Sequence, residues 1–143
     1  MTSDMRDTGH ILGFDYGERR IGIAVGENQT RTVHPLTTLP CRNGKPDWAA
    51  IRGLLEEWQP VRLIVGLPLH MDGKEQPMTK RAKRFGNQLQ GRFGLPVSYA
   101  DERLTSVEAT QLLGPQGARD ATATDKVAAQ LILQGWLEQE RTE

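Results

Sequence analysis

Two short apolar runs, Ile11 to Phe14 and Ile21 to Val25, are separated by Asp15-Tyr16-Gly17-Glu18-Arg19-Arg20. Short apolar runs around a glycine-containing turn predict a β-hairpin, and this one carries Asp15 at the end of its first strand. Gly17 gives the backbone room to turn where a side chain would clash. Side-chain alternation puts Ile11, Gly13 and Asp15 on one face of that strand, with Leu12 and Phe14 on the other. A carboxylate fixed at a strand end can hold a divalent cation on a rigid platform. It can equally well cap a turn, as Asp often does.

Thr32 to Leu39 is rich in β-branched residues and predicts a third strand, with Pro35 marking an edge or a bulge. Arg42 to Pro46 is expected to be a loop. Asp47 suits the N-cap of a helix that buries Ile51, Leu54, Leu55 and Trp58 and stops at Pro60. Arg62 to Gly66 is almost wholly apolar, as in the middle of a sheet covered on both sides. Leu67 to Pro77 is built from turn residues. A helix follows from about Met78 to Phe93, with Ala82, Phe85 and Leu89 on its buried face. Val97 to Ala100 reads as the next strand. Thr105 and Glu108 form a capping box that opens another helix. Gly114 to Ala123 reads as a loop, with the last helix starting at Thr124 or Asp125. A strand meander followed by alternating helices and strands predicts an α/β domain with a mixed sheet and helices on both faces.

The chain has 143 residues, which suits one domain, here expected over residues 9–143 behind a loose tail over 1–8. No run approaches the roughly 20 apolar residues of a membrane helix, and the N-terminus lacks a signal-peptide core. The lone cysteine, Cys41, excludes an intrachain disulfide and fits a reducing cytoplasm. The formal net charge is zero, so any argument for a nucleic-acid partner has to come from local charge.

Three acids stand at predicted element ends: Asp15, Glu102 and Asp125. In an open α/β sheet the ligand crevice lies outside the carboxyl ends of the strands. Three carboxylates brought together there would repel one another unless a divalent cation joined them, and oxygen-only ligands suit Mg²⁺ or Mn²⁺. Such a site can activate water and stabilise the leaving oxygen of a phosphodiester. Each acid also has a plain structural use. Asp125 would fit the first turn of a helix, and Glu102 could pair with an arginine at the surface. Asp101 is a rival to Glu102, and in an extended segment the two face opposite sides. Positive charge gathers at Lys74, Lys80, Arg81, Lys83, Arg84 and Arg92. Lys80 and Arg84 share a helix face and could track a phosphate backbone, or simply be solvated. Arg19, Arg20 and Arg103 are placed to meet a phosphate. His10, His34 and His70 have no metal-ligand spacing, and no Walker loop or nucleophile elbow is present.

Four segments together carry a family resemblance: Gly13-Phe14-Asp15-Tyr16-Gly17 with Arg20-Ile21-Gly22-Ile23-Ala24; Val65-Gly66-Leu67-Pro68 with Met71-Asp72-Gly73; Asp101-Glu102-Arg103-Leu104-Thr105; and Asp125 with Ala128-Ala129. In this order they resemble the YqgF (RuvX) family of Holliday-junction-resolvase-like, pre-16S rRNA nucleases. The resemblance implies a ribonuclease H-like fold with a mixed five-stranded sheet. It implies that Asp15, Glu102 and Asp125 are the metal ligands of phosphodiester hydrolysis, with Arg103 and Thr105 orienting the scissile phosphate or the glutamate. The implied role is 5′-end maturation of the 16S rRNA precursor in the cytoplasm, in contact with the small ribosomal subunit. Two other readings stay open: a resolvase of branched DNA, and a non-catalytic assembly factor that binds nucleic acid or the ribosome. A phosphotransferase of the actin-like kind would need two such domains with nucleotide between them, and the chain supplies one.

Overall fold

The structure, a computed structural model, describes residues 9–101 and 121–141. Its strands are β1 (His10–Tyr16), β2 (Arg20–Glu27), β3 (Val33–Arg42), β4 (Lys45–Pro46), β5 (Arg62–Leu67) and β6 (Val97–Asp101). Its helices are α1 (Trp48–Trp58), α2 (Pro77–Phe93) and α3 (Ala121–Arg141). They build one six-stranded mixed sheet in the order β4-β3-β2-β1-β5-β6, where five strands were expected. β1 to β4 form the antiparallel meander, and β1, β5 and β6 run parallel.

The sixth strand is β4, within the segment predicted as a loop. Asn43 and Gly44 both have positive φ, 52° and 72°, so an Asn-Gly turn reverses β3 onto β4 and pairs Arg42 with Lys45. Asn-Gly is the sequence favoured for such two-residue hairpins. Pro35 produces the expected irregularity, since the β2–β3 register shifts between Ile23 and Ala24, which face Thr37 and Pro35. A proline has no N–H to give the ladder, and the bulge accommodates it.

The helices cover both faces. On one, α1 and α2 bury Ile51, Leu55, Ala82, Phe85 and Leu89 against Leu12, Phe14, Ile21, Ile23, Leu63 and Val65. On the other, α3 lays Ala129, Ile132, Leu133 and Leu137 on Ile11, Ala24, Val33, Ile64 and Ala100. Asp47 caps α1 as predicted, accepting a hydrogen bond from the Ala50 N–H at 3.1 Å. Trp48, Trp58 and Trp136 pack at the margins of these two cores. α3 begins at Ala121, earlier than the predicted start at Thr124 or Asp125. Ala121 and Ala123 are good helix formers and extend the last helix back into the segment read as a loop. The predicted tail over 1–8 and the helix opened by Thr105 and Glu108 lie outside the described residues. No described helix is long and apolar enough to cross a membrane.

Candidate active site

Asp15 lies in the last turn of pairing of β1, half-buried, on the face covered by α3. Gly13 shows the orientation. A Cβ built there would meet the Leu133 Cβ at 3.1 Å and the Ala129 carbonyl oxygen at 3.3 Å. Asp15, two residues on, has the same parity and points to the same side. Its partner across the hairpin is Gly22. On the other flank, β5 presents Gly66 beyond the Phe14–Val65 pair, and Gly66 is in turn paired with Ala100 of β6. Ile64, which shares Gly66's parity, belongs to the α3-side core. The carboxylate therefore stands on a floor of the smallest side chains, Gly22, Gly66 and Ala100. Both glycines are in the motifs quoted above, but their place beside Asp15 follows only from the strand pairing.

α3 runs antiparallel to β1. Leu137 packs with Ile11, and Ala129 and Leu133 lie over Gly13. Moving from Gly13 to Asp15 advances about 6.6 Å along the strand, and one helix turn back from Ala129 to Asp125 advances about 6 Å. The backbone of Asp125 thus comes level with Asp15. Asp125 is not at the helix start, as the sequence suggested, but fifth in α3. Its use as an N-terminal cap is therefore removed, and Asp is a weak helix former in such a position. Asp101 is the last residue of β6 and is exposed. It shares parity with Val97 and Tyr99, which pack on the α1–α2 side. It lies on the opposite face from Asp15, which removes it as the rival acid. Glu102, Arg103 and Thr105 lie outside the described residues. Among the described residues no three His, Cys, Asp or Glu side chains gather as a metal site.

The turn between β1 and β2 is held tightly. A Cβ on Gly17 would sit 2.7 Å from the Arg20 carbonyl oxygen, closer than two such atoms can approach. The Arg19 carbonyl accepts a 2.8 Å hydrogen bond from the Cys41 N–H of β3, which leaves its exposed side chain at the sheet's carboxyl edge. Arg20 is half-buried and pairs with Pro40. Gly17→Ala is expected to destabilise the fold by about 1–3 kcal/mol, since backbone rather than a movable side chain has to yield. Urea denaturation measures this, and a midpoint equal to wild type would contradict the close approach.

Behind Asp15, on the α1–α2 side, Tyr16 faces a cleft of about 580 Å³. The Tyr16 hydroxyl donates to the Gly44 carbonyl at 2.9 Å, which ties β1 to the β3–β4 turn. Burial, with the nearby Cys41 second, pushes its pKa above that of a free tyrosine, against the opposing pull of Arg81 and Arg84. It therefore stays a neutral donor through the physiological range. Arg84 lines the cleft, while Lys80, a turn earlier and exposed, does not. Lys83, on the same helix, is engaged by Glu75. That bond holds Glu75 below its usual carboxylate range. Leu69 bridges Glu75, the Gly73 N–H donates to the His70 carbonyl, and Thr79 donates to the Pro68 carbonyl, so the segment after β5 is a small hairpin folded back on α2.

The family model described as "RuvX: Holliday junction resolvase" matches residues 9–139. A protein of Aeromonas salmonicida named "Putative pre-16S rRNA nuclease" is 50% identical over 133 residues, covering 91% of this chain and 95% of the relative. A protein of the same name from Nitrosococcus oceani is 49% identical over 134 residues, 92% of this chain and 88% of the relative. Among solved structures, Thermus thermophilus RuvC in complex with a Holliday junction superposes with a TM-score of 0.55 at 13% identity, covering 94% of this chain and 96% of that one. The fowlpox virus resolvase bound to junction DNA gives 0.59 at 12% identity, covering 92% and 98%. At such identities the likeness concerns the fold, and it is the ribonuclease H-like fold of these resolvases. With a family match spanning nearly all of the described residues and relatives near half identity, the chain belongs to the RuvX family.

Proposed function

We propose that this protein is a divalent-metal-dependent nuclease that hydrolyses phosphodiester bonds in structured RNA, acting in 5′-end maturation of the 16S rRNA precursor. The observation that carries the reading is Asp15. It is an acid at the carboxyl end of a central strand, on a floor of Gly22, Gly66 and Ala100, with the Asp125 backbone level with it on α3. The names of the relatives from Aeromonas salmonicida and Nitrosococcus oceani support the substrate class.

The residues suit a hard cation. Asp15 offers carboxylate oxygen on a rigid strand, its neighbours Gly22 and Gly66 carry no side chain, and among the described residues no cysteine or histidine joins it in a softer donor set. Asp15, Glu102 and Asp125 would hold Mg²⁺ or Mn²⁺. A divalent ion bound there supplies Lewis acidity and charge for hydrolysis of the phosphodiester. The chain's own part is to fix geometry and neutralise phosphate. Asp15 is paired with Gly22 on one flank and directly follows the Phe14–Val65 pair on the other, so its backbone is fixed and its oxygens need little reordering on binding. Arg19 and Arg20, in the hairpin turn beside it, and Arg103 and Thr105, in the Glu102 motif, would bind and orient the scissile phosphate. In the reaction water forms the new bond to phosphorus, the bond to one ester oxygen breaks, and that oxygen leaves with a proton. Lys80 and Arg84 would hold the backbone outside the cut. Work in the cytoplasm on the assembling small subunit goes with this substrate.

The test compares cleavage of precursor 16S rRNA and of a four-way DNA junction by wild type and Asp15→Asn, with Mg²⁺ or Mn²⁺. Asp15-dependent cleavage of the precursor supports the proposal. Asp15-dependent cleavage of the junction alone would replace it with the resolvase reading, which the family description favours. Equal cleavage by both proteins would assign the activity to a contaminant.

A further inference from the structure

The cleft behind Asp15 is strongly unbalanced in charge. Lys45, Arg81, Arg84 and Arg92 line it against one acid, Glu18. Glu18 is 3.4 Å from Arg81 and lowers its net charge, whereas Arg84 has no ion-pair partner among the described residues. Arg92 lies 4.3 Å above the centre of the Trp48 ring. Such stacking holds a guanidinium flat and leaves its N–H edges outward, the geometry that suits phosphate oxygens. Trp48 is itself stacked on Phe85 at 5.7 Å. With Arg92 on one face and Phe85 beside it, the ring is already used in packing and offers no platform for a base. The cleft therefore selects for backbone charge, not for sequence.

The arginines also form a track. Arg81, Arg84 and Arg92, with Gln88 between the last two, are spaced by three or four residues, so they share a stripe along α2. From Arg81 to Arg92 the stripe spans about 16 Å at about 1.5 Å per residue. That length matches about five stacked nucleotides of one strand, at about 3.4 Å each. Lys45, on the β3–β4 hairpin opposite, makes the second wall. The track starts at Tyr16, the residue after Asp15 on the other side of the same strand. A strand leaving Asp15 reaches it by crossing the hairpin turn, where Arg19 lies exposed.

We infer that this cleft is a second nucleic-acid site, binding a single-stranded segment that flanks the cut through its phosphates, without base preference. The inference rests on the nuclease reading for its ligand class, and it adds to that reading a defined path between α2 and the β3–β4 hairpin.

The test is fluorescence anisotropy of the full-length protein, with EDTA present, on a labelled 12-nucleotide oligouridine and on a labelled RNA hairpin with no overhang. Lys45→Ala/Arg84→Ala is expected to bind the single strand at least tenfold more weakly. Its plot of log affinity against log salt should flatten by about 1.4, from two lost phosphate contacts at about 0.7 each. Arg52→Ala, exposed on α1 outside the cleft, controls for nonspecific loss of positive charge and should bind as wild type. Circular dichroism and thermal melting establish that each variant is folded. An unchanged affinity and salt slope in the double variant would overturn the inference, as would an equal loss on the blunt hairpin. The two readings fail separately. Loss of single-strand binding with no Asp15-dependent cleavage would keep the cleft and sink the nuclease. Asp15-dependent cleavage with unaltered single-strand binding would do the reverse.

Discussion

Asp15→Asn is expected to lower Mg²⁺- or Mn²⁺-dependent cleavage by at least about a hundredfold while leaving the melting temperature and nucleic-acid affinity close to wild type. The change is isosteric and replaces one carboxylate oxygen by an amide, so packing over Gly22 and Gly66 is preserved. What is lost is negative charge at the candidate metal position. Altering groups that merely support a metal ligand costs about 10–100-fold, and removing a ligand's charge should cost at least the upper figure. Stability should change little, because the amide keeps the size and shape of the half-buried side chain. Single-turnover cleavage, melting by circular dichroism and binding in EDTA separate these effects. An Asp15→Asn protein that cleaves at more than a tenth of the wild-type rate would remove Asp15 from the reaction. One that fails to melt cooperatively would say that Asp15 is needed for folding, and Asp15→Ser would then be the variant to assay.

The parts of this site that were legible in the sequence are those encoded locally. The hairpin follows from two apolar runs around Gly17, and the parity of Asp15 follows from counting along β1. Strand β5 follows from Leu63-Ile64-Val65, and the cap of α1 from Asp47. The bulge opposite Pro35 follows from the missing N–H. The Asn43-Gly44 turn was legible too, but a strand as short as β4 has no periodicity, and it exists because β3 is there to pair with it. The start of α3 was misplaced because the glycines and proline within Gly114 to Ala123 marked that whole stretch as loop, whereas the helix begins at Ala121. Long-range pairing supplied what counting could not. Gly22 and Gly66 flank Asp15 only once the register is known. The basic cleft draws on β1, the β3–β4 turn, α1 and α2, and no sequence window spans all of them. The sequence singled out Lys80 and Arg84 together as a helix face. The fold sends Arg84 into the cleft and leaves Lys80 outside it.

Phe85→Ala is expected to cost about 3–5 kcal/mol, the largest stability loss among single changes near the site. Phe85 is 1% exposed and is the hub of an aromatic group. Its ring centre is 4.9 Å from Tyr16, 5.6 Å from Phe14 and 5.7 Å from Trp48. Truncation leaves a void bounded by three rings and by β-strand backbone, which relaxes poorly. Against a total stability of about 5–15 kcal/mol this is a large share, and the melting temperature should drop by roughly 10 °C. Phe85→Leu, which fills most of the volume, should lose less than half as much. The consequences for function should be uneven. β1 is paired on both flanks by β2 and β5, so Asp15 keeps its place in whatever fraction stays folded. Tyr16 and Trp48 lose their common support, and with them the wall on which Arg92 is stacked. Measured at 15 °C, where the variant is folded, single-strand affinity should therefore fall while cleavage per folded molecule at saturating substrate changes little. A melting temperature within 2 °C of wild type would show that α2 is not held to the sheet through Phe85. Equal losses in affinity and in saturated cleavage would show that the two faces of β1 are mechanically coupled, so that the strand does not isolate its acid from the cleft behind it.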